Sequence, residues 1–212
     1  MDKNVRTARM ATLERVAKAL GENRMEARVV ESREELLEIL RGMLGKGDSI
    51  ASGGSVTLEE TGVKDLLSCG DYDFYARGRV DEAGEPVDVF RAAFSCDWYF
   101  SSSNAITEDG QLYNVDGNAN RVAALCFGPR KVIIIAGYNK VVRNLHAAAE
   151  RVKAIAAPIN CIRLERKTPC AITGRCGDCK SPDHICCDRV IHGYQRDPER
   201  IKVFLLPEDL GY

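Results

Sequence analysis

Lys131-Val132-Ile133-Ile134-Ile135-Ala136-Gly137-Tyr138-Asn139-Lys140 is the stretch that decides the fold. Val132 to Ile135 run without a polar interruption. A strand with one face in water alternates apolar and polar residues, so this one must be covered on both faces, as in the middle of a parallel sheet. Gly137 ends it, and residues 140–156 read as a long helix. Lys140 would then sit at a helix start, where the dipole prefers an anion; a bound ligand anion would account for it.

The same reading extends outward. Residues 25–30, 48–52, 71–76 and the aromatic run Trp98-Tyr99-Phe100 read as strands, as do 189–194 and 201–206 downstream. Residues 4–20, 32–44, 56–67, 87–94 and 118–127 have helical patterning, and Ser32 with Glu35 makes a capping box. Asp109-Gly110 between two β-like runs predicts a hairpin. Alternating strands and helices predict an α/β fold with a mainly parallel sheet covered on both faces.

Composition agrees. The chain has 212 residues, 45% hydrophobic and 29% charged, with a formal net charge of -1. That is enough chain for a core without staples, and it predicts one domain over residues 1–212. The charge balance gives no reason to expect nucleic acid or an acidic membrane surface as partner. There is no signal-peptide pattern at the start and no apolar run long enough to span a bilayer, so the expected compartment is the cytoplasm.

In open α/β sheets ligands sit beyond the carboxyl ends of the strands. Three junctions there carry unusual residues. In Ser52-Gly53-Gly54-Ser55-Val56-Thr57 two glycines allow close backbone approach, Ser55 can cap the next helix and Thr57 adds a hydroxyl; a plain capped turn is the bland alternative. Ser101-Ser102-Ser103-Asn104 follows the aromatic strand, and Gly137, Asn139 and Lys140 follow the apolar one. Asn118, Asn120 and Arg121 can serve the same pocket. Together they suggest a small carboxylate or phosphorylated ligand. Glu108 is an acid or base by type, but a lone Glu reads first as surface. No G-x-G-x-x-G dinucleotide fingerprint is present.

Near the end, Cys170, Cys176, Cys179 and Cys186 follow the spacing C-x5-C-x2-C-x6-C, with Cys187 directly behind, in a segment spanning 168–192. Gly174, Gly177 and Pro182 favour tight loops there. In a reducing compartment such a cluster reads as a thiolate-ligated metal site appended to the main fold, rather than a disulfide knot. Only Cys176 and Cys179 form a C-x2-C pair, so the spacing matches neither the ferredoxin run nor a two-knuckle zinc ribbon. Cys187 is a spare or an alternative to Cys186. His184 and His192 are nitrogen candidates that read first as surface or core. Cys69, Cys96, Cys126 and Cys161 read as ordinary buried cysteines.

Residues 53–58, the Asp-Gly hairpin with Asn120-Arg121, and the run 132–140 together resemble the LUD-domain (lactate utilisation) family across nearly the whole chain. Residues 168–191 resemble the cysteine tail of one branch. The resemblance implies an α/β/α sandwich similar to the sugar-phosphate isomerase and CoA-transferase superfamily. It also implies a link to L-lactate oxidation to pyruvate by an iron–sulfur enzyme system, with other subunits of that system as partners. It favours a 4Fe-4S cluster on the four cysteines, with zinc as the alternative. Three roles follow: an electron-transfer accessory subunit, an isomerase- or CoA-transferase-like enzyme with a structural zinc clip, or a scaffold whose metal segment docks a partner. The resemblance carries over no catalytic residue.

Overall fold

The computed structural model describes residues 1–212. Along the chain run α1 (Lys3–Glu22), β1 (Glu26–Val29), α2 (Arg33–Met43), β2 (Ser49–Ser52), α3 (Val56–Glu60), α4 (Val63–Leu67) and β3 (Asp73–Phe74). Then come α5 (Val89–Ala92), β4 (Trp98–Ser101), β5 (Ala105–Thr107), β6 (Leu112–Asp116), α6 (Asn120–Phe127) and β7 (Lys131–Gly137). The last third holds β8 (Val141–Val142), α7 (Leu145–Arg151), α8 (Ala157–Arg163), α9 (Pro169–Thr173), β9 (Asp188–His192) and β10 (Ile201–Leu206).

Six strands form one parallel sheet in the order β1-β10-β7-β4-β2-β3. The decisive strand, β7, lies inside it between β10 and β4. Its successive side chains point to opposite faces. Val132, Ile134 and Ala136 join Leu13, Val16 and Leu20 of α1 and Leu125 of α6 in one core. Ile133 and Ile135 join Leu36 and Leu40 of α2 and Leu58 and Leu67 of α3 and α4 in the other. Both faces are therefore covered by helices, which is why this strand can be apolar throughout.

A second, four-stranded sheet, β8-β5-β6-β9, was not foreseen. The Asp109-Gly110 hairpin pairs β5 with β6. Gly110 has φ +81°, and a Cβ there would lie 2.5 Å from the backbone of Ala19, so the turn needs glycine for both conformation and space. β9 adds antiparallel to β6. The cysteine segment therefore leads directly into a paired strand and is a wall of the protein, not an appendage.

Three expected helices differ. The helix expected over 56–67 is broken by Gly62 at φ +74° into α3 and α4. The one expected over 140–156 starts later: Val141 and Val142 pair with β5 instead, and Asn144 caps α7 by accepting from the Ala147 N–H at 3.0 Å. Lys140 thus closes a 3-10 turn, Tyr138–Lys140, so the dipole argument for it fails. The helix expected over 87–94 shrinks to α5 and a 3-10 turn. From α7 the chain passes through a π-helical turn, Val152–Ala156, into α8. Pro158 has no N–H to return to the preceding turn, and the helix widens just before it. No helix is long and apolar enough to cross a membrane.

Candidate anion-binding site

Because the large sheet is parallel, β2, β4 and β7 all end at the same edge. Their three following loops meet there around a cavity of about 370 Å³. Gly54, Ser55, Thr57, Asn104, Asn120, Arg121 and Lys140 line it, as the sequence suggested. Ser55 caps α3 by accepting from the Leu58 N–H at 3.3 Å, but that helix has only five residues and makes no anion site of its own.

Lys140 is the centre of this arrangement. It is only 3% exposed, and Nζ donates to Thr57 Oγ1 and Ser102 Oγ, both at 2.8 Å. Those two hydroxyls spend their own protons on the carbonyls of Leu210 and Ser103. No carboxylate contacts the amine. Burial, then the guanidinium groups of Arg151 and Arg121, push its pKa down to about 7, against a weaker opposing pull from Glu60.

Arg121 lines the cavity but has nothing left to offer a ligand. Its Nε donates to Asp116, one terminal nitrogen to Ser102 O and Asn114 Oδ1, and the other to Asn104 Oδ1 and Val115 O. All five donors are used, so it braces β6 and the loops after β4. Arg151 does the same from α7, donating to the carbonyls of Asn139 and Asn104 at 2.8 and 2.7 Å.

Three expected ligand residues have other work. A Cβ on Gly53 would lie 3.1 Å from Arg121, and one on Gly137 would lie 2.5 Å from the Glu208 carbonyl; both positions are needed for packing. Asn139 clamps the chain end, accepting from the Leu210 N–H at 3.0 Å and donating to Gly211 O at 3.0 Å. Glu108 is exposed in the hairpin, away from the cavity.

Sequence reasoning missed the cavity's cationic rim, Arg77, Arg163 and Arg166, as well as Asn160 and Tyr212. Arg163 donates only to Asn160, and Arg77 lies over the Phe90 ring at 5.6 Å. The basic run from Arg163 to Lys167 was the available signal. The phenol of Tyr212 is a buried hydroxyl without a partner, and burial raises its pKa.

Pro182, Asp183, His184 and Ile185 of the cysteine segment form the remaining wall. His184 also faces a second cavity of about 470 Å³, on the other side of that wall, which Cys176, Cys179 and Cys186 line. Burial raises the Cys186 pKa, and Cys176, Cys179, Cys170 and Cys187 add to the rise, so five thiols lie within electrostatic reach of one another. Cys161 joins them. It is 2% exposed, lies within electrostatic reach of Cys170 and Cys186, and its pKa is pushed up to about 11, first by burial. Its reading as an ordinary buried cysteine missed this neighbourhood, because α8 and α9 pack only in three dimensions.

Two other cysteines correct the sequence reading outright: Cys69 and Cys126 are exposed, since each follows the last buried residue of its helix. His192 is buried against Cys126, at 3.6 Å, far in role from the cluster; burial lowers its pKa to about 4. As the side chains stand, no three His, Cys, Asp or Glu residues form a ready single-ion site. In donor chemistry the thiols fit a sulfur-ligated centre, with Asp178 already engaged by Lys153.

The family model for the LUD domain matches residues 13–206. The chain belongs to the LUD-domain family. Among solved structures this LUD domain is similar to a DUF162 family protein from Deinococcus radiodurans, at 16% identity and TM-score 0.52, covering 93% of this chain and 98% of that one. That likeness concerns the fold. A weaker one, TM-score 0.37 at 19% identity, is to eIF2B delta from Chaetomium thermophilum, over 56% of this chain and 50% of that one. No curated protein matches the chain.

Proposed function

We propose that this LUD domain binds a small organic anion, a carboxylate or a phosphorylated compound, as an accessory subunit of L-lactate oxidation to pyruvate. The observation that carries the reading is Lys140: a buried amine held by two hydroxyls, flanked by arginines, facing a cavity, with no carboxylate partner. Such an amine is stabilised in its charged form only when an anion enters. The rim arginines give that anion further donors.

The second part of the proposal concerns the thiols. Cys170, Cys176, Cys179 and Cys186, with Cys161 at hand, would hold a 4Fe-4S cluster, or zinc as the alternative. A cluster there would supply one-electron transfer to partner subunits; zinc would supply only rigidity. In either case the wall formed by residues 182–185 links that centre to the anion cavity.

Calorimetric titration of the protein with pyruvate and with inorganic phosphate tests the first part. Saturable binding lost in Lys140→Met supports it, and no binding of either probe overturns it. For the second, protein purified without oxygen should be brown and contain iron. Colourless protein with stoichiometric zinc would replace electron transfer by the clip.

A further inference from the structure

We propose that Lys140 is a carbonyl-reactive nucleophile, and that the cavity takes small 2-oxo carboxylates, which it holds as an imine on the Lys140 amine. This deepens the anion-binding reading and rests on it. The argument starts from geometry. A lysine placed only to attract an anion is best left charged, with water or a carboxylate near it. Lys140 is instead only 3% exposed, and the charges that act on it most are two more cations, Arg151 on α7 and Arg121 on α6. The acidic groups around it are committed elsewhere. Glu60 on α3 accepts from the Gly211 N–H at 2.7 Å, and Asp116 on β6 is bonded to Arg121 and to the Val122 N–H. Desolvation beside other cations is how a protein keeps an amine neutral enough to attack a carbonyl.

The surroundings supply the remaining parts of the step. The amine nitrogen adds to the C2 carbonyl of the ligand, forming a C–N bond while the carbonyl oxygen takes up a proton. Loss of that oxygen as water gives the imine, so the balance is amine plus 2-oxo acid to imine plus water, with no oxidant or reductant. Both protons that the nitrogen sheds leave with that oxygen as water, while Thr57 and Ser102 Oγ, each 2.8 Å from Nζ, accept hydrogen bonds from the amine and hold it in place. Both are backed by carbonyl acceptors that fix their rotors. The ligand's carboxylate meets Arg77 or Arg163 on the rim, whose guanidinium groups are not consumed by ion pairs as Arg121 is. A ligand with a carbonyl and no carboxylate would lose that anchor.

The test traps the imine on the wild-type protein. Protein, pyruvate and sodium cyanoborohydride are mixed near neutral pH, and the reduced adduct is located by peptide mapping. Lys140 should be labelled about tenfold or more above the exposed lysines, because ordinary lysines are almost wholly protonated there. Lys140→Arg should lose the label while the remaining lysines are labelled as in wild type. Inorganic phosphate should protect Lys140 by competition. Equal labelling of surface lysines, or no adduct from a protein that binds pyruvate in calorimetry, overturns the imine and leaves the anion pocket standing. Failure to bind both pyruvate and phosphate overturns the pocket itself. Should the arginine variant fold poorly by circular dichroism, the wild-type map alone decides.

Discussion

Every donor of Arg121 has a partner, while the thiols of Cys176, Cys179 and Cys186 carry no hydrogen bond. The two regions face each other across one wall, yet they are built differently. The inner region, with Lys140, Arg121, Arg151 and the serines after β4, buries charge and hydroxyl groups and gives them partners from neighbouring hydroxyls, amides and backbone carbonyls. Its shape exists before any ligand arrives. The outer region is a loop of half-exposed thiols held by a few contacts, such as Asp183 accepting from the Lys167 N–H at 2.6 Å and Ser181 donating to Lys167 O at 3.2 Å. A preformed site binds its ligand without reorganising, whereas a loop of free thiols is organised by what it binds.

The largest effect that can break this contrast is on stability. Arg121 and Asp116 form a largely buried ion pair, with side chains 13% and 9% exposed. Arg121→Met removes five donors and leaves Asp116 unpaired, which should cost about 3–5 kcal/mol in urea denaturation of the metal-free protein. Adding Asp116→Asn should recover part of it. A cost under about 1 kcal/mol would mean the inner region is not preorganised.

Lys140→Met should separate binding from folding. Phosphate affinity should fall roughly 10- to 100-fold, the worth of a charge-assisted hydrogen bond. Stability should move the other way with pH. The folded pKa is depressed to about 7, below the ordinary lysine value, so the unfolded chain holds more protons between the two. Wild type should therefore gain stability relative to Lys140→Met as pH rises from about 7 towards 10.5, at up to about 1.4 kcal/mol per pH unit, and show no such slope below 7. Urea titrations of both proteins at several pH values would read this difference. A flat difference would mean that Lys140 stays charged.

Much of the inner region was legible in sequence and much of the outer was not, for a physical reason. Strand ends in a parallel sheet share an edge, so small polar residues after Ser52, Ser101 and Gly137 had to converge once β7 was placed inside the sheet. What sequence could not show was which polar groups are consumed internally. Arg121 and Asn139 have the residue types of ligand contacts but are spent on the protein's own polar groups, and that is decided only by how the chain packs. Lys140 shows the same limit: it lines the cavity, while the helix dipole invoked for it was absent. Cys161 was missed because its neighbours come from α9 and the loop before β9, and no spacing in the sequence encodes that contact.

Cys161 also sharpens the contrast. Cys161→Ser and Cys176→Ser should each lower the metal content of anaerobically prepared protein, while Cys69→Ser and Cys126→Ser should leave it unchanged. Equal retention in all four would detach the thiols from any metal and leave the outer region a plain loop.

The smallest expected effect is the most discriminating. Lys153 on the π-helical turn meets Asp178 at 2.8 Å and so tethers the cysteine loop to the helix. Both groups are open to solvent, and such a pair adds little to a folded chain. Lys153→Ala should therefore leave the melting temperature of the metal-free protein within the scatter of the measurement. Cys176 also lies within electrostatic reach of Lys153. When thiolates gather around a metal, the loop becomes strongly negative, and the nearest cation then matters more than it did before. The loaded variant should release its metal to a chelator about two- to threefold faster than wild type, and the difference should shrink in high salt. A clear fall in the melting temperature of the metal-free variant would show the opposite: that the tether shapes the loop in advance, and that the outer region is preorganised like the inner one.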